Sequence, residues 1–246
     1  MCGILFSNYP NISKSSFTSA LYLMRHRGPD VPNGYFVQDE TQFGHCRLKI
    51  LDLDNRSNQP FFSRDNRYVL IFNGEIYNYK ELAKKYDIHQ STLSDTEILV
   101  ELYNKLGVKM LSELNGMFVF VIYDLKKRSY FIARDRLGIK PLYYQKKGKF
   151  FIFSSEIAPL ISLLGTPEID DLGLRQYKKL RTFFNGRTIY KDIQMFPAGY
   201  YMLDGKFTQY WTLTEDEQLP PETDELTNLI QSAVNYRCLS DVPVGS

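Results

Sequence analysis

Residues 1–165 are dense in short apolar runs separated by polar breaks. Gly3–Ser7 predicts a strand. Ser15–His26 carries Phe17, Leu21 and Met24 at helical spacing, with Ser and Thr near its start as candidate caps, and predicts a helix. Val69–Phe72 predicts a short strand. Asp95–Leu106 predicts an amphipathic helix with Ile98, Leu99, Leu102 and Leu106 on one stripe. Met117–Tyr123 is apolar without alternation, the pattern of a strand covered on both faces. The polar turn Asp124–Arg128 joins it to Tyr130–Ala133 as a hairpin. Leu142–Gln145 and Phe150–Ser154 form a second hairpin around K-K-G-K. Antiparallel strands flanked by a few helices predict a layered α/β or α+β architecture.

After Gly165 the periodicity weakens. Residues 166–222, including Pro220 and Pro221, read as an extended segment lying on the first domain. Thr223–Arg237 predicts a helix with Thr223 as N-cap and Asp224 and Glu225 in its first turn. Its apolar face, Leu226, Leu229, Ile230, Ala233 and Val234, needs a partner. The chain then runs through S-D-V-P-V-G-S, expected as the entry to a second domain. There is no internal repeat or low-complexity stretch.

Composition narrows the classes. A chain of 246 residues, 43% hydrophobic, is one large domain or one domain plus a piece of another. A net charge of +2 excludes a polybasic nucleic-acid arm or an acidic tail as the main theme. Cys2, Cys46 and Cys238 are too scattered for a disulfide framework or a zinc pair, and His26, His45 and His89 show no ligand spacing, so no metal site is expected. No apolar run approaches the roughly 20 residues that cross a membrane. No charged-then-apolar leader opens the chain, so a cytoplasmic location is expected.

Five elements carry candidate chemistry. Removal of the initiator Met would leave Cys2 with a thiol and a free α-amine, whose intrinsic pKa of about 7.7–8.0 suits a base. R-H-R-G-P-D at 25–30 is a turn by default, and its Arg and Asp side chains also suit a gating loop. In F-N-G-E-I-Y-N-Y at 72–79, Asn-Gly is a hairpin-turn signal. It also offers an Asn73 side-chain N–H and a Gly74 backbone N–H at a strand end, two donors for an oxyanion. H-C-R-L-K-I-L-D at 45–52 is an alternating strand in which Arg47 suits a carboxylate clamp. S-D-T-E at 94–97 is a capping box whose Asp95 also suits an ammonium ligand. A thiol, an oxyanion pair, a cation and anions together fit an amide substrate with an amino-acid head group, such as glutamine.

The ordered motifs M-C-G-I, R-H-R-G-P-D, R-L-K-I-L-D, F-N-G-E-I-Y-N, S-D-T-E, L-N-G-M-F-V-F, A-R-D-R-L-G-I-K-P-L-Y-Y, S-S-E-I, T-I-Y-K-D-I and P-A-G-Y-Y run the length of the chain. The sequence thereby resembles the class II glutamine amidotransferases, and most closely the glutamine-hydrolysing asparagine synthetases. The resemblance implies an α+β fold, a four-layer αββα N-terminal nucleophile hydrolase sandwich with mainly antiparallel sheets. It divides the chain into a glutaminase core (1–165), an extension (166–222) and a stub (223–246) of an α/β ATP-pyrophosphatase domain. It implies Cys2 as nucleophile and Asn73 and Gly74 as the oxyanion hole. Arg47 then clamps the glutamine α-carboxylate, and Asp95 with Glu75 takes the α-ammonium. Glutamine lies along the backbone of the strand Arg47, Leu48, Lys49, Ile50 and Leu51. Arg25, Arg27, Gly28, Pro29 and Asp30 form a lid, and Cys46 is packing. The glutaminase part needs no cofactor. ATP, Mg2+ and aspartate belong to the missing synthetase part, and a homodimer stays open. Competing readings are an acceptor such as a sugar carboxylate in surface-glycan assembly, a catalytically silent relative, and a nucleophile hydrolase acting on other amides.

Overall fold

The computed structural model describes residues 1–214 and 222–245. The expectations placed on Pro220, Pro221 and Ser246 lie outside the described residues. Strand β1 (Gly3–Ser7) and helix α1 (Lys14–Tyr22) precede a hairpin of β2 (Val31–Gln38) and β3 (Thr41–Arg47). β4 (Phe61–Phe62) and β5 (Tyr68–Ile76) lead into α2 (Tyr79–Lys85) and α3 (Asp95–Leu106). Then come β6 (Gly116–Asp124), β7 (Ser129–Arg134), β8 (Tyr143–Lys147), β9 (Phe150–Ser154), α4 (Ile157–Leu164) and α5 (Asp171–Leu180). The chain continues through β10 (Ile193–Met195), β11 (Tyr200–Leu203), β12 (Lys206–Gln209) and α6 (Thr223–Arg237).

Two six-stranded sheets result, in the orders β10-β8-β9-β1-β3-β2 and β12-β11-β7-β6-β5-β4, with every strand pair antiparallel. The unalternating apolar runs of β5 and β6 have a direct cause: both faces are buried. Val69, Ile71, Val119 and Val121 meet Ile4, Phe6 and Phe43 between the sheets. Leu70, Phe72, Phe118 and Phe120 face the other way, onto Leu82, Ile98, Leu99 and Leu102 of α2 and α3. On the far side, α1 packs Phe17, Ala20 and Leu21 against Leu5 and Cys46. The layers are therefore helix, sheet, sheet, helix, as the family resemblance implied.

Several boundaries move. The first helix starts at Lys14 under a Ser13 cap and stops at Tyr22, and the chain turns through Leu23–Arg27 instead of reaching His26. The strand expected at Val69–Phe72 runs on to Ile76, so Asn73 and Gly74 are paired with Val119 and Phe118 and form no hairpin turn. Conversely, β3 ends at Arg47, and Leu48–Leu51 leave the sheet. Glu97 does not close a capping box. Its buried carboxylate bonds Ser91 and Thr92 instead, while Ser94 Oγ accepts from Thr96 N–H. Thr223 is the first helical residue and not the cap, which is Glu222. The 166–214 segment does more than lie on the core: β10 extends one sheet, β11 and β12 extend the other, and Phe196 and Met202 are fully buried.

Candidate active site

β1 is flanked by β3 and β9, so Cys2 emerges at the end of a central, wholly buried strand. Its Sγ lies 3.4 Å from the Leu48 backbone N–H, and its carbonyl accepts from Arg27 Nε at 2.9 Å. Burial pushes the Cys2 thiol pKa up, while the Leu48 N–H, the nearby terminal ammonium and Arg47 act against that rise. The chain's own α-amine, on Met1, is pulled below its usual value, first by burial.

Cys2 opens on a cavity of about 130 Å³ walled by both sheets and the start of α3. Asn73 is 1% exposed, and its Nδ2 is buried with no partner. A buried amide that donates to nothing costs about 1–3 kcal/mol, so it points to an absent acceptor. Gly74 supplies a second donor by strand geometry. Phe72 N–H donates to Gln59 Oε1 at 2.6 Å and Ile76 N–H to Asp95 Oδ2 at 2.9 Å, both away from β6. Alternate residues of an antiparallel strand turn their N–H groups the same way, so Gly74 N–H faces that open edge too. β4 covers β5 only at Val69 and Leu70, which leaves the edge free. A side chain at Gly74 would strike the Met117 carbonyl and the Phe72 ring.

Charged groups surround this pair. Asp95, under the Ser94 cap, is 4% exposed, and burial raises its carboxyl to about 7 despite the Ile76 N–H. Burial also raises Glu75, and Lys140 lowers it. The Arg47 guanidinium, 4% exposed, donates to the Leu51, Asp52 and Asp54 carbonyls and to Asn58 Oδ1. It therefore lines the cavity and also ties down the loop that follows β3. His45 joins the sheets: its Nε2 donates to the Phe72 carbonyl at 3.0 Å, its Nδ1 is buried without a partner, and burial pushes its pKa down to about 3.

Residues 1–211 match a family model described as a glutamine amidotransferase domain. The chain belongs to the glutamine amidotransferase family. It is 33% identical to a putative glutamine-hydrolyzing asparagine synthetase 2 of Methanocaldococcus jannaschii over 100% of this chain and 54% of that protein. It is 34% identical to asparagine synthetase 1 of Bacillus subtilis (100% and 41%) and 35% identical to asparagine synthetase B of Escherichia coli (91% and 37%). The chain thus spans about half the length of these relatives or less. The fold resembles that of a B. subtilis glutamine phosphoribosylpyrophosphate amidotransferase, with a TM-score of 0.60 at 18% identity over 86% of this chain and 50% of that one.

In this amidotransferase domain the cavity gathers Cys2, Arg47, Leu48, Ile50, Leu51, Asn73, Gly74, Glu75 and Asp95. Lys49 stands outside it, its N–H donating to Asp30 Oδ2 and its Nζ to Asn55. The Arg25–Asp30 segment does not line the cavity. Gly28 lies so close to the Cys46 and Arg47 backbone that a side chain there would overlap it. Arg27 pairs with Glu156. Arg25 and Pro29 border a separate surface hollow with Tyr22. Cys46 is packing: fully buried, with burial pushing its thiol up to about 12, whereas Cys238 is exposed. Sequence reasoning missed Lys140, Gln59, Ser94, Thr96 and Met117. The signal for Lys140 was its place in A-R-D-R-L-G-I-K-P-L-Y-Y. A larger hollow of about 640 Å³ between α2 and the end of α6 holds none of the expected residues. Among the described residues no cluster of His, Cys, Asp or Glu forms a metal site, and no helix is long and apolar enough to cross a membrane.

Proposed function

We propose that this domain hydrolyses L-glutamine to glutamate and ammonia through Cys2. The observation that carries the reading is the unpartnered, buried Nδ2 of Asn73, a residue that lines the same cavity as Cys2. Once Met1 is removed, the α-amine of Cys2 takes the thiol proton as Sγ attacks the side-chain amide carbon. The oxyanion gathers its charge against Asn73 Nδ2 and Gly74 N–H. The amine returns the proton to the leaving nitrogen, the C–N bond breaks, and ammonia departs from a γ-glutamyl thioester. Water then adds, gives its proton to the amine, and releases glutamate as the C–S bond breaks and the thiol re-forms. Asp95 and Glu75 supply negative charge for the substrate ammonium, and Arg47 supplies positive charge for its carboxylate. Cys2→Ala is expected to abolish glutamate release, measured with a coupled glutamate assay, and to leave the melting temperature near that of the parent. Retained hydrolysis in a folded Cys2→Ala protein overturns the reading.

The relatives' names support a wider proposal. Ammonia would serve an ATP- and Mg2+-dependent synthetase half that converts aspartate to asparagine, with residues 223–246 as its first piece. Among the described residues no group of His, Cys, Asp or Glu could hold a metal ion. A cytoplasmic location and a homodimer belong to the same proposal. A chain of the relatives' full length, assayed with aspartate and with a sugar carboxylate, separates the acceptors.

A further inference from the structure

The cavity wall formed by Ile50 and Leu51 is held from outside by Asp241, 189 positions beyond the adjoining Asp52. Asp241 N–H donates to the Ile50 carbonyl at 2.9 Å, and Asp241 Oδ2 accepts from Asp52 N–H at 2.7 Å. The two bonds bracket Leu51. From inside, Arg47 bonds the Leu51 carbonyl. The bracketed loop also reaches the opposite wall. Asp52, 4% exposed and at φ 46°, accepts from Leu93 N–H at 2.8 Å through Oδ2, and Leu93 directly precedes Ser94 and Asp95. Tyr79 donates to the Leu93 carbonyl from beneath. The Asp241 segment is itself anchored: Leu239 packs on the α2–α3 core, Arg237 lies over the Tyr77 ring at 5.2 Å, and Tyr236 bonds Glu81.

We infer that Asp241 is a positioning residue for the glutamine site, setting the Ile50–Asp52 wall and, through Asp52 and Leu93, the approach to Asp95. The physical case rests on conformation. Leu48–Asp54 contains no regular secondary structure, so it has no ladder to fix it, and Asp52 sits in the left-handed region that a non-glycine residue adopts at a cost. Such a loop keeps one shape only where outside groups over-determine it. Removing the Asp241 carboxylate takes away the acceptor of the part-buried Asp52 N–H and frees the loop to sample other shapes, and glutamine must then select the competent one. The segment after α6 thereby controls affinity at a site it does not touch.

The inference rests on the glutaminase reading, and its test separates the two. Asp241→Ala in the 246-residue chain is expected to raise KM for L-glutamine by about tenfold, with kcat within about twofold. Asp241→Asn keeps an acceptor oxygen for Asp52 N–H and is expected to return KM to within about twofold of the parent. A purely structural role would lower the active fraction, and hence kcat, at constant KM. That outcome, or an unchanged KM in Asp241→Ala, overturns the inference. Hydrogen exchange gives a readout free of activity: the amides of 48–54 should exchange about tenfold faster in Asp241→Ala, and unchanged exchange also overturns it. If the parent chain neither binds nor hydrolyses glutamine, the glutaminase reading falls, and the exchange experiment still decides whether Asp241 orders the wall.

Discussion

Asp95 stands in the first turn of α3, directly after the Ser94 cap, and lines the cavity. The Ser94–Asp95 signature reads as a helix start in the sequence, and it is one. The sequence could not show that burial, with the Glu75 charge beside it, would raise the carboxyl to about 7. An ammonium ligand needs the ionised form, and that form dominates above this value. The KM for glutamine should therefore rise by about tenfold per pH unit as pH falls below about 7, and Asp95→Asn should raise KM overall and flatten that limb. A KM–pH profile of both proteins checks this. His45 contributes nothing to the profile, because burial keeps its imidazole neutral. Asn73 and Gly74 were legible as donors but not as strand residues. Asn-Gly is a turn signal by local propensity, and pairing with Val119 and Phe118 overrides it. Lys140 lies in a motif the sequence does show, but its burial beside the cavity is a tertiary fact.

At the scale of elements, strong periodicity was read well and irregular backbone was not. Helix α3 and strands β1, β6 and β9 fall where their apolar patterns put them, within a residue. The alternation of R-L-K-I-L predicts more strand after β3. The chain leaves the sheet there because Arg47 bonds the carbonyls of the residues that follow. The turn before α3 is likewise built by one side chain. Glu97, 1% exposed, accepts from the N–H and hydroxyl of both Ser91 and Thr92 and pairs with Arg64. Burial raises its carboxyl, but these donors outweigh it and hold it below its usual range. A depressed acid stabilises above its unfolded pKa and loses that contribution as pH falls through the folded value. Glu97→Gln should cost about 2 kcal/mol near neutrality, and the difference in melting temperature from the parent should shrink as pH falls below the ordinary glutamate range.

Across the whole molecule, runs apolar on both faces gave layered antiparallel strands, and the family resemblance gave the double-sheet sandwich. The contribution of residues 166–214 was not legible, since β10, β11 and β12 are only three or four residues long and carry little period of their own. The apolar face of α6 was legible, and the structure leaves Leu226, Leu229, Ile230 and Val234 exposed. The three thiols are graded across this architecture, one on the surface, one in the cavity and one sealed between α1 and β3. That gradient turns a single alkylating reagent into a molecular ruler. A native maleimide titration followed by mass spectrometry should modify Cys238 first, Cys2 more slowly and Cys46 only on unfolding, with L-glutamine shielding the second alone. One labelling curve would then report surface, occupancy and foldedness at once.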